Sequence, residues 1–302
     1  MMKDNIKAMV MAAFAADSLA LGVHWIYDPQ QIISDFGRIE SFKAPGPRSY
    51  HKNRRKGDFT HYGDQMLVLL ESVAENRRFE PADFSQRWRE LFDGYDGYID
   101  GATRNTLANY EKGLAPADAG SASDDLAGAA RIAPLVCLLR DDPEGLAQSA
   151  RLQTQMTHAD PATVDAAEYL ALVTRAVIKG TAPVEAMKTV AGDRFDISPI
   201  SAWLQKGLAS LNQDSIDVIG NFGRSCHTGE MFPGVVHLIA KYEPDLKEGL
   251  VQCMMAGGDN AARGALVGMI LGAHLGMAAL PREWVTGLNA RDRIETLLEK
   301  IS

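Results

Sequence analysis

Residues 257–280 read GGDNAARGALVGMILGAHLGMAAL, a run in which glycine recurs at every fourth position from 264 onward. The glycines of this stripe are Gly264, Gly268, Gly272 and Gly276. Each glycine costs a helix about 1 kcal/mol relative to alanine, so four in one stripe need a compensating gain. A helix face without side chains lets a neighbouring backbone approach closely. We therefore predict a central helix over 260–280 that is buried on most of its sides.

Helical periodicity continues outward from this stretch through most of the chain. Residues 66–73 place apolar side chains at i, i+3, i+4 and i+7, which is one stripe of a 3.6-residue helix. Runs that alternate apolar and polar residues, as strands do, are nearly absent. The same reasoning predicts further helices over 5–21, 81–91, 127–139, 144–155, 161–179, 184–190, 198–211, 231–241, 245–255 and 290–299. The pattern predicts an all-α fold, and without a Ser/Gly linker we expect one compact domain over residues 1–302.

Two long stretches, 27–62 and 93–125, lack clear periodicity. The first is rich in proline, glycine and basic residues. Loops of this length in a compact domain are usually functional or mobile. We therefore expect both to be irregular, and either functional or mobile.

Composition excludes several classes of protein. A net charge of -8 and a pI near 5.4 argue against a binder of nucleic acid, which needs clustered Lys and Arg. The three cysteines, Cys137, Cys226 and Cys253, are too scattered for a disulfide framework, so we expect core thiols in a reducing compartment. Neither apolar stretch, 8–23 or 265–280, has the character of a signal peptide or membrane span. The cytoplasm is the expected location, with no membrane partner.

The first motif with chemical potential is the start of the glycine-striped helix. Two glycines let the backbone approach a ligand, and Asp259 and Asn260 follow at the N-terminus of a buried helix. A carboxylate and free N–H groups at such a position can bind a metal–phosphate or sugar–phosphate unit. Arg263 lies one turn on, so either it or a ligand neutralises Asp259. The simpler alternative is a helix cap with an ordinary ion pair.

A second motif is DSLALGVHWIYD at residues 17–28. His24 beside Trp25 can serve as a ligand, an acid/base group or a stacking wall for a base or sugar. The alternative is a histidine that is simply satisfied at a helix C-terminus.

A third motif is GDFTHYGDQ at residues 57–65. Asp64 begins the predicted helix, where the dipole favours a carboxylate, and His61 and Tyr62 precede it. The alternative is an ordinary N-cap, but the polar side chains here are denser than capping requires.

Three further junctions between loops and helices carry polar residues. They contain Asp124 and Asp125, then His158, and then the segment 226–230. Each is a weak signal alone. If their helices are co-oriented, the junctions form one polar basin.

Taken in order, these motifs resemble the ADP-ribosylglycohydrolase family over roughly residues 12–276. The resemblance rests on DSLA at 17–20, DQM at 64–66, RIAPL at 131–135, TH at 157–158, GGD at 257–259 and GMILGA at 268–273. It implies an orthogonal α-helix bundle, a cleft for ADP-ribose, and hydrolysis of an N- or O-glycosidic ADP-ribosyl bond at two magnesium ions. The substrate-binding candidates are His24, Trp25, Tyr62, Asp124, Asp125, His158, Asn260 and Arg263.

The chain departs from the family pattern at the metal positions. His24 stands where the family has a glutamate, and HYGD at 61–64 replaces Thr-Asp-Asp-Thr. GGDNAA at 257–262 replaces Gly-Gly-Asp-Thr-Asp-Thr, which leaves Asp259 as the retained carboxylate. Two magnesium ions need several carboxylates, so a family-like site is not expected.

The first alternative is a site for a metal other than magnesium. His24, His61, Asp64 and Asp259 can hold one transition metal, because imidazole with carboxylate suits zinc, iron or manganese. Alternatively, the site is free of metal.

The leading hypothesis is therefore a hydrolase that cleaves a glycosidic bond of ADP-ribose or a related nucleoside-ribosyl substrate. Asp259 would activate water or stabilise an oxocarbenium-like centre, with His61 or Asp64 as acid/base group or metal ligand. One rival is a non-catalytic binder of a nucleotide-like ligand, or a structural protein. Another is a hydrolase of a different small substrate that uses one transition metal.

Overall fold

The computed structural model describes residues 2–195 and 197–301, and helices dominate this part of the chain. Its sixteen α-helices are α1 (Met2–Ala20), α2 (Pro29–Phe36), α3 (His61–Asn76), α4 (Pro81–Phe92), α5 (Gly101–Glu111), α6 (Ala133–Leu139), α7 (Pro143–Gln155), α8 (Pro161–Ile178), α9 (Pro183–Arg194), α10 (Ile200–Leu208), α11 (Ser215–Phe222), α12 (Thr228–Lys241), α13 (Leu246–Met255), α14 (Asn260–Leu275), α15 (Arg282–Thr286) and α16 (Arg291–Leu298). Two isolated β-bridges are the only strand-like pairings among these residues. The predicted all-α fold is confirmed.

The two central helices are α1 and α14, which pack along each other through the glycine stripe. A Cβ on Gly268 would lie 2.6 Å from the carbonyl oxygen of Ala12, and one on Gly272 would lie 2.6 Å from that of Ala8. Residues 8–24 and 253–273 are all buried. The glycines therefore permit a close helix–helix contact, as the sequence predicts.

α14 is shorter than predicted because Gly276 ends it. Gly276 has φ 73°, and its N–H donates to the carbonyl of Gly272 at 3.0 Å. A left-handed glycine in this position commonly ends a helix. The apolar residues after it form a short 3-10 helix, Met277–Ala279.

The prediction that 27–62 and 93–125 are irregular is wrong in part, because α2 and α5 lie within them. α2 is held by Asp28, whose side chain accepts from the N–H of Gln30, and Ile32 is its one buried residue. α5 buries small or hydroxylated side chains and starts at a capping Asp100. α5 lacks the apolar stripe that reveals helices in a sequence, and α2 has only eight residues on which a stripe could show.

Two other features of the sequence can be placed. Cys137 and Cys253 are buried free thiols, whereas Cys226 is half-buried. Within residues 2–195 and 197–301, no helix is both long and apolar enough to cross a membrane.

Candidate active site

The glycine pair before α14 holds three segments of backbone together. The N–H of Trp25 donates to the carbonyl of Gly258 at 3.0 Å, and the N–H of Gly258 donates to that of Ile26 at 2.8 Å. A Cβ on Gly257 would lie 2.4 Å from the oxygen of Ile26, and one on Gly258 would lie 2.1 Å from that of Arg224. Both glycines have φ near +70°. The close approach that the sequence suggested for a ligand is thus made by the protein's own backbone.

Asp259 caps α14 and is completely buried. Its Oδ1 accepts from the N–H of Ala262 at 3.3 Å. Its Oδ2 accepts from the hydroxyl of Tyr62 at 2.9 Å and from Nε1 of Trp25 at 3.4 Å. Burial raises the pKa of Asp259, although the hydrogen bond from Tyr62 opposes this rise. A buried carboxyl group with a raised pKa is a candidate acid/base group.

Arg263 does not form an ion pair with Asp259. It is buried, and its Nη2 donates to the carbonyl oxygens of Cys253, at 3.1 Å, and Gly257, at 2.5 Å. Its charge acts on Asp259 through space alone. Arg263 therefore ties α14 to the end of α13, and hydrogen bonds hold the carboxylate of Asp259.

Three buried histidines meet beside Asp259. One ring nitrogen each of His24, His51 and His61 lies within 4.8 Å of the other two. Nδ1 of His24 lies 3.2 Å from Oδ1 of Asn260, and Nε2 of His61 lies 3.0 Å from Oδ2 of Asp100. We call His24, His51 and His61 the histidine cluster. It contains the predicted residues His24 and His61, and it adds His51.

Burial favours the neutral form of two rings of the histidine cluster. Burial lowers the pKa of His24 and of His51 well below the ordinary value for histidine. Burial alone would raise the pKa of Asp100, but hydrogen bonds from His61 and from the N–H of Thr103 hold it well below its usual range. The cluster thus has two rings, His24 and His51, whose neutral form burial favours, beside a carboxylate, Asp100, whose ionised form is favoured.

Sequence reasoning missed His51. Its one signal was its position in the stretch 27–62, which was expected to be functional. No fixed spacing links it to His24 or His61, because the loop carries it there and not a regular helix. Such a contact is tertiary and has no local signature.

Three aromatic rings cover the histidine cluster, and we call them the aromatic wall: Trp25, Tyr50 and Tyr98. Trp25 stacks on His24 with ring centroids 4.3 Å apart. Its edge contacts with Tyr98 and Tyr50 have centroid distances of 4.9 and 5.4 Å. Trp25 has φ +63°, a conformation that L-residues rarely adopt. The backbone contacts to Gly258 hold it in this conformation, which fits the predicted stacking wall.

A cleft of about 470 Å³ opens on the outer side of the aromatic wall. Its lining includes His24, Trp25, Tyr27, Arg48, Ser49 and Tyr50. Tyr50 is 63% exposed and Tyr27 is 52% exposed. The lining also contains Asp35, so Arg48 is not its only charged group. The exposed aromatic faces suit a ligand that has a flat ring.

Asp64 does not contact the histidine cluster or Asp259. Its Oδ2 accepts from Nη2 of Arg54 and from the hydroxyl of Tyr95, both at 2.5 Å. α3 also starts earlier than predicted, at His61, with Thr60 as its N-cap. The four predicted metal ligands are therefore split, because Asp64 is engaged by its own cationic partner.

Asp17 supplies a buried carboxylate that the sequence analysis did not select. Its Oδ1 accepts from the N–H of Thr60 at 2.8 Å, and its Oδ2 accepts from the Thr60 hydroxyl at 2.5 Å. A Cβ on Gly63 would lie 2.4 Å from Oδ1 of Asp17. The carboxylate of Asp17 thus occupies the space of a side chain at position 63 and joins α1 to α3.

Burial raises the pKa of Asp17 from its ordinary 3.8 to about 6. The folded protein therefore binds this proton more tightly than the unfolded chain. The contribution to stability is complete below pH 4 and is lost as the pH rises through 6, a loss of about 3 kcal/mol at pH 7. Asp17→Asn should remove this dependence and keep an acceptor for Thr60.

The measurement is urea unfolding of both proteins from pH 4 to pH 7. We expect the free energy of unfolding of wild type minus that of Asp17→Asn to fall across this range. A difference that stays constant with pH would contradict the raised pKa.

The loops that carry the weaker motifs meet near the buried site. β-Bridges join Ser121 to His158 and Asp125 to His227, and Oδ1 of Asp124 lies 2.8 Å from Nδ1 of His227. Asp124 and Asp125 also act electrostatically on the buried His158. The junctions therefore lie side by side.

Comparison with known proteins decides the family. A family model described as ADP-ribosylglycohydrolase matches residues 1–302. The chain belongs to the ADP-ribosylglycohydrolase family. Crystallin J1A of Tripedalia cystophora is 23% identical to it, over 99% of this chain and 97% of that protein. ADP-ribosylhydrolase ARH3 of Homo sapiens is also 23% identical, over 91% and 86%. A solved structure titled "ADP-ribosylglycohydrolase-related protein complex" is 26% identical and superposes with a TM-score of 0.80, covering 99% of this chain and 97% of its own.

Within the ADP-ribosylglycohydrolase family, two magnesium ions would need a set of oxygen ligands that this chain does not offer. Asp259 has both carboxylate oxygens engaged by neighbouring donors. Positions 63 and 261 carry Gly63 and Ala261, and Asp64 is paired with Arg54. Magnesium requires near-octahedral oxygen coordination. The residues present therefore do not fit a two-magnesium centre.

Proposed function

We propose that this protein hydrolyses a glycosidic bond of ADP-ribose or of a related nucleoside-ribosyl substrate. The observation that carries the proposal is the buried carboxyl group of Asp259, which has a raised pKa and lies directly behind the aromatic wall. Membership of a glycohydrolase family supports the same reaction class. A glycosidase needs a carboxyl group that transfers a proton or stabilises an oxocarbenium-like transition state.

The other groups have separable roles in this proposal. Trp25 and Tyr50 stack against the base or ribose in the cleft, and we assign Arg48, which lines the same cleft, to a diphosphate. His61, oriented by Asp100, is the second acid/base candidate. Asp64 contacts none of these groups. We therefore assign it a structural role, in which its carboxylate binds the guanidinium of Arg54.

Access to Asp259 requires a movement. The carboxylate is completely buried, and the indole of Trp25 lies between it and the cleft. A substrate must turn this ring aside to reach Oδ2. The hydrogen bond that Trp25 then loses is weak, since it measures 3.4 Å in the closed arrangement.

The test is incubation of the purified protein with peptides that carry ADP-ribose on arginine, an N-glycosidic bond, or on serine, an O-glycosidic bond. We expect free ADP-ribose to appear for at least one class, measured by liquid chromatography with mass detection. Peptide without protein is the control for spontaneous release. Binding of ADP-ribose with no release from either class would overturn the proposal.

That outcome would favour a second candidate, a binding or structural role without turnover. The observation in its favour is that two relatives at 23% identity are named crystallins, J1A and J1B of Tripedalia cystophora. It predicts an increase in the melting temperature with ADP-ribose, because ligand binding to the folded state stabilises it.

A further inference from the structure

We propose that His24, His51 and His61 bind one divalent transition-metal ion, with zinc preferred, and that Asp100 and Asn260 orient two of the three rings. This site replaces the mixed carboxylate and histidine set that the sequence suggested. An ion bound to His61 would keep this ring from acting as an acid or base, which leaves Asp259 as the acid/base group of the proposed hydrolysis. The test of the metal site measures metal and not turnover.

The geometry of the cluster matches one ion. The three ring nitrogens lie within 4.8 Å of one another. In a tetrahedral zinc site with Zn–N bonds of about 2.0–2.1 Å, the nitrogens are about 3.4 Å apart. Binding of one ion therefore requires the three rings, which pack against one another, to rotate so that their nitrogens converge. Three histidines with an open fourth position form a well-known zinc arrangement.

The histidine cluster contains buried ring nitrogens that have no hydrogen-bond partner among the residues that the structure describes. His51 is 1% exposed, and neither of its ring nitrogens has a hydrogen-bond partner in residues 2–195 and 197–301. Nε2 of His24, which is 4% exposed, is likewise unpartnered. Each such atom costs roughly 1–3 kcal/mol. Coordination to an ion would remove this cost.

Another buried histidine shows what a purely structural one looks like in this chain. Nδ1 of His237 lies 2.7 Å from the hydroxyl of Ser210, and Nε2 lies 2.9 Å from that of Ser215. Both nitrogens are therefore satisfied. The contrast with His51 is the strongest single argument for a ligand at the cluster.

Side-chain oxygens lie close to two of the three rings, at the positions that second partners occupy in metal sites. A metal-bound histidine usually presents its other nitrogen to a carboxylate or carbonyl oxygen. Oδ2 of Asp100 lies 3.0 Å from Nε2 of His61, and Oδ1 of Asn260 lies 3.2 Å from Nδ1 of His24. This leaves Nε2 of His24 and the other nitrogen of His61 for the ion.

A second group of potential ligands is a weaker candidate for a metal site. It is formed by Asp124, Asp125 and His227. Asp124 and His227 are exposed, and they already pair with each other. Hydrated surface groups of this kind commonly bind no ion. The group is useful as a control.

The experiment uses the full chain without a polyhistidine tag, because a tag would itself bind metal. The protein is stripped with a chelator, incubated with zinc, and passed through a desalting column before elemental analysis. We expect about one zinc per chain for wild type and a loss of nearly all of it for His51→Ala. His227→Ala and His237→Asn should keep the wild-type stoichiometry.

A milder variant tests the orienting role of Asp100. Asp100→Asn keeps a helix-capping side chain, because Asn caps as well as Asp. Loss of a carboxylate behind a metal-bound histidine lowers metal affinity about 10- to 100-fold. Competition for zinc with a colorimetric chelator measures this change. An unchanged affinity would remove Asp100 from the site.

X-ray absorption of zinc-loaded wild type keeps the proposal testable if His51→Ala fails to fold. We expect a first shell of nitrogen and oxygen with the multiple scattering of three imidazoles. A shell without imidazole, zinc that survives in a folded His51→Ala variant, or zinc lost from His227→Ala would each overturn the proposal. ADP-ribose release is measured separately, so its failure leaves the metal result standing.

Discussion

Asp259→Asn is expected to lower the turnover of an ADP-ribosylated substrate about 10²- to 10⁴-fold while the protein stays folded. Asparagine keeps an oxygen for the N–H of Ala262 and caps a helix as well as aspartate does. It cannot transfer a proton or stabilise developing positive charge as a carboxylate does. The measurement is kcat from the release of ADP-ribose, with the melting temperature recorded for each protein.

Asp214→Asn is the matched control for this variant. Asp214 also caps a helix, α11, and its side chain accepts from the N–H groups of Ile216 and Asp217. It is exposed and contacts none of the site residues described above. We expect wild-type kcat from Asp214→Asn. Equal kcat for wild type and Asp259→Asn would exclude Asp259 from the chemistry.

Gly272→Ala is expected to destabilise the protein by about 2 kcal/mol, even though alanine is the better helix former. The new Cβ would lie 2.6 Å from the carbonyl oxygen of Ala8 and 2.9 Å from the Cβ of Ala12. Both contacts are below the separation that side chains reach, so α1 and α14 must move apart. Loss of packing along two buried helices then exceeds the gain in propensity.

Gly192→Ala is expected to stabilise the protein, in contrast to Gly272→Ala. Gly192 lies in α9, is exposed, and has nothing within 4 Å of the position of a Cβ. This variant should gain about 0.5–1 kcal/mol from helix propensity alone. Urea unfolding measures both free energies. If the two variants shift stability in the same direction, the close α1–α14 contact does not govern the cost.

The fold could be predicted because its strongest signals are periodic and local. The glycine stripe predicted the contact that α14 makes with α1, and apolar stripes predicted α3 and α8. α2 and α5 escaped because their buried faces carry one isoleucine or small and hydroxylated residues. Short helices that depend on a cap and on tertiary contacts leave little periodicity in a sequence.

Residues of the candidate site could be predicted only where neighbouring residues in the sequence define the local structure. Asp259 was identified because a glycine pair and a buried helix lie on either side of it. His51 was missed because only the folded loop brings it to His24. Asp64 was selected from its place near a helix start, but Arg54 and Tyr95 engage it. Pairings between distant segments are set by tertiary structure and have no fixed spacing.

The contact between α1 and α14 also sets an order of events during protein synthesis. α1 leaves the ribosome about 250 residues before its partner, which at roughly 5–20 residues per second is a delay of about 10–50 s. Throughout that interval the surface that α14 will cover, including the backbone at Ala8 and Ala12, faces water or other chains. A nascent chain with such an uncovered helix is prone to aggregate or to need a chaperone. The Trp25–Gly258 backbone contact, and the buried site built around it, forms only after Gly258 has emerged, 233 residues after Trp25.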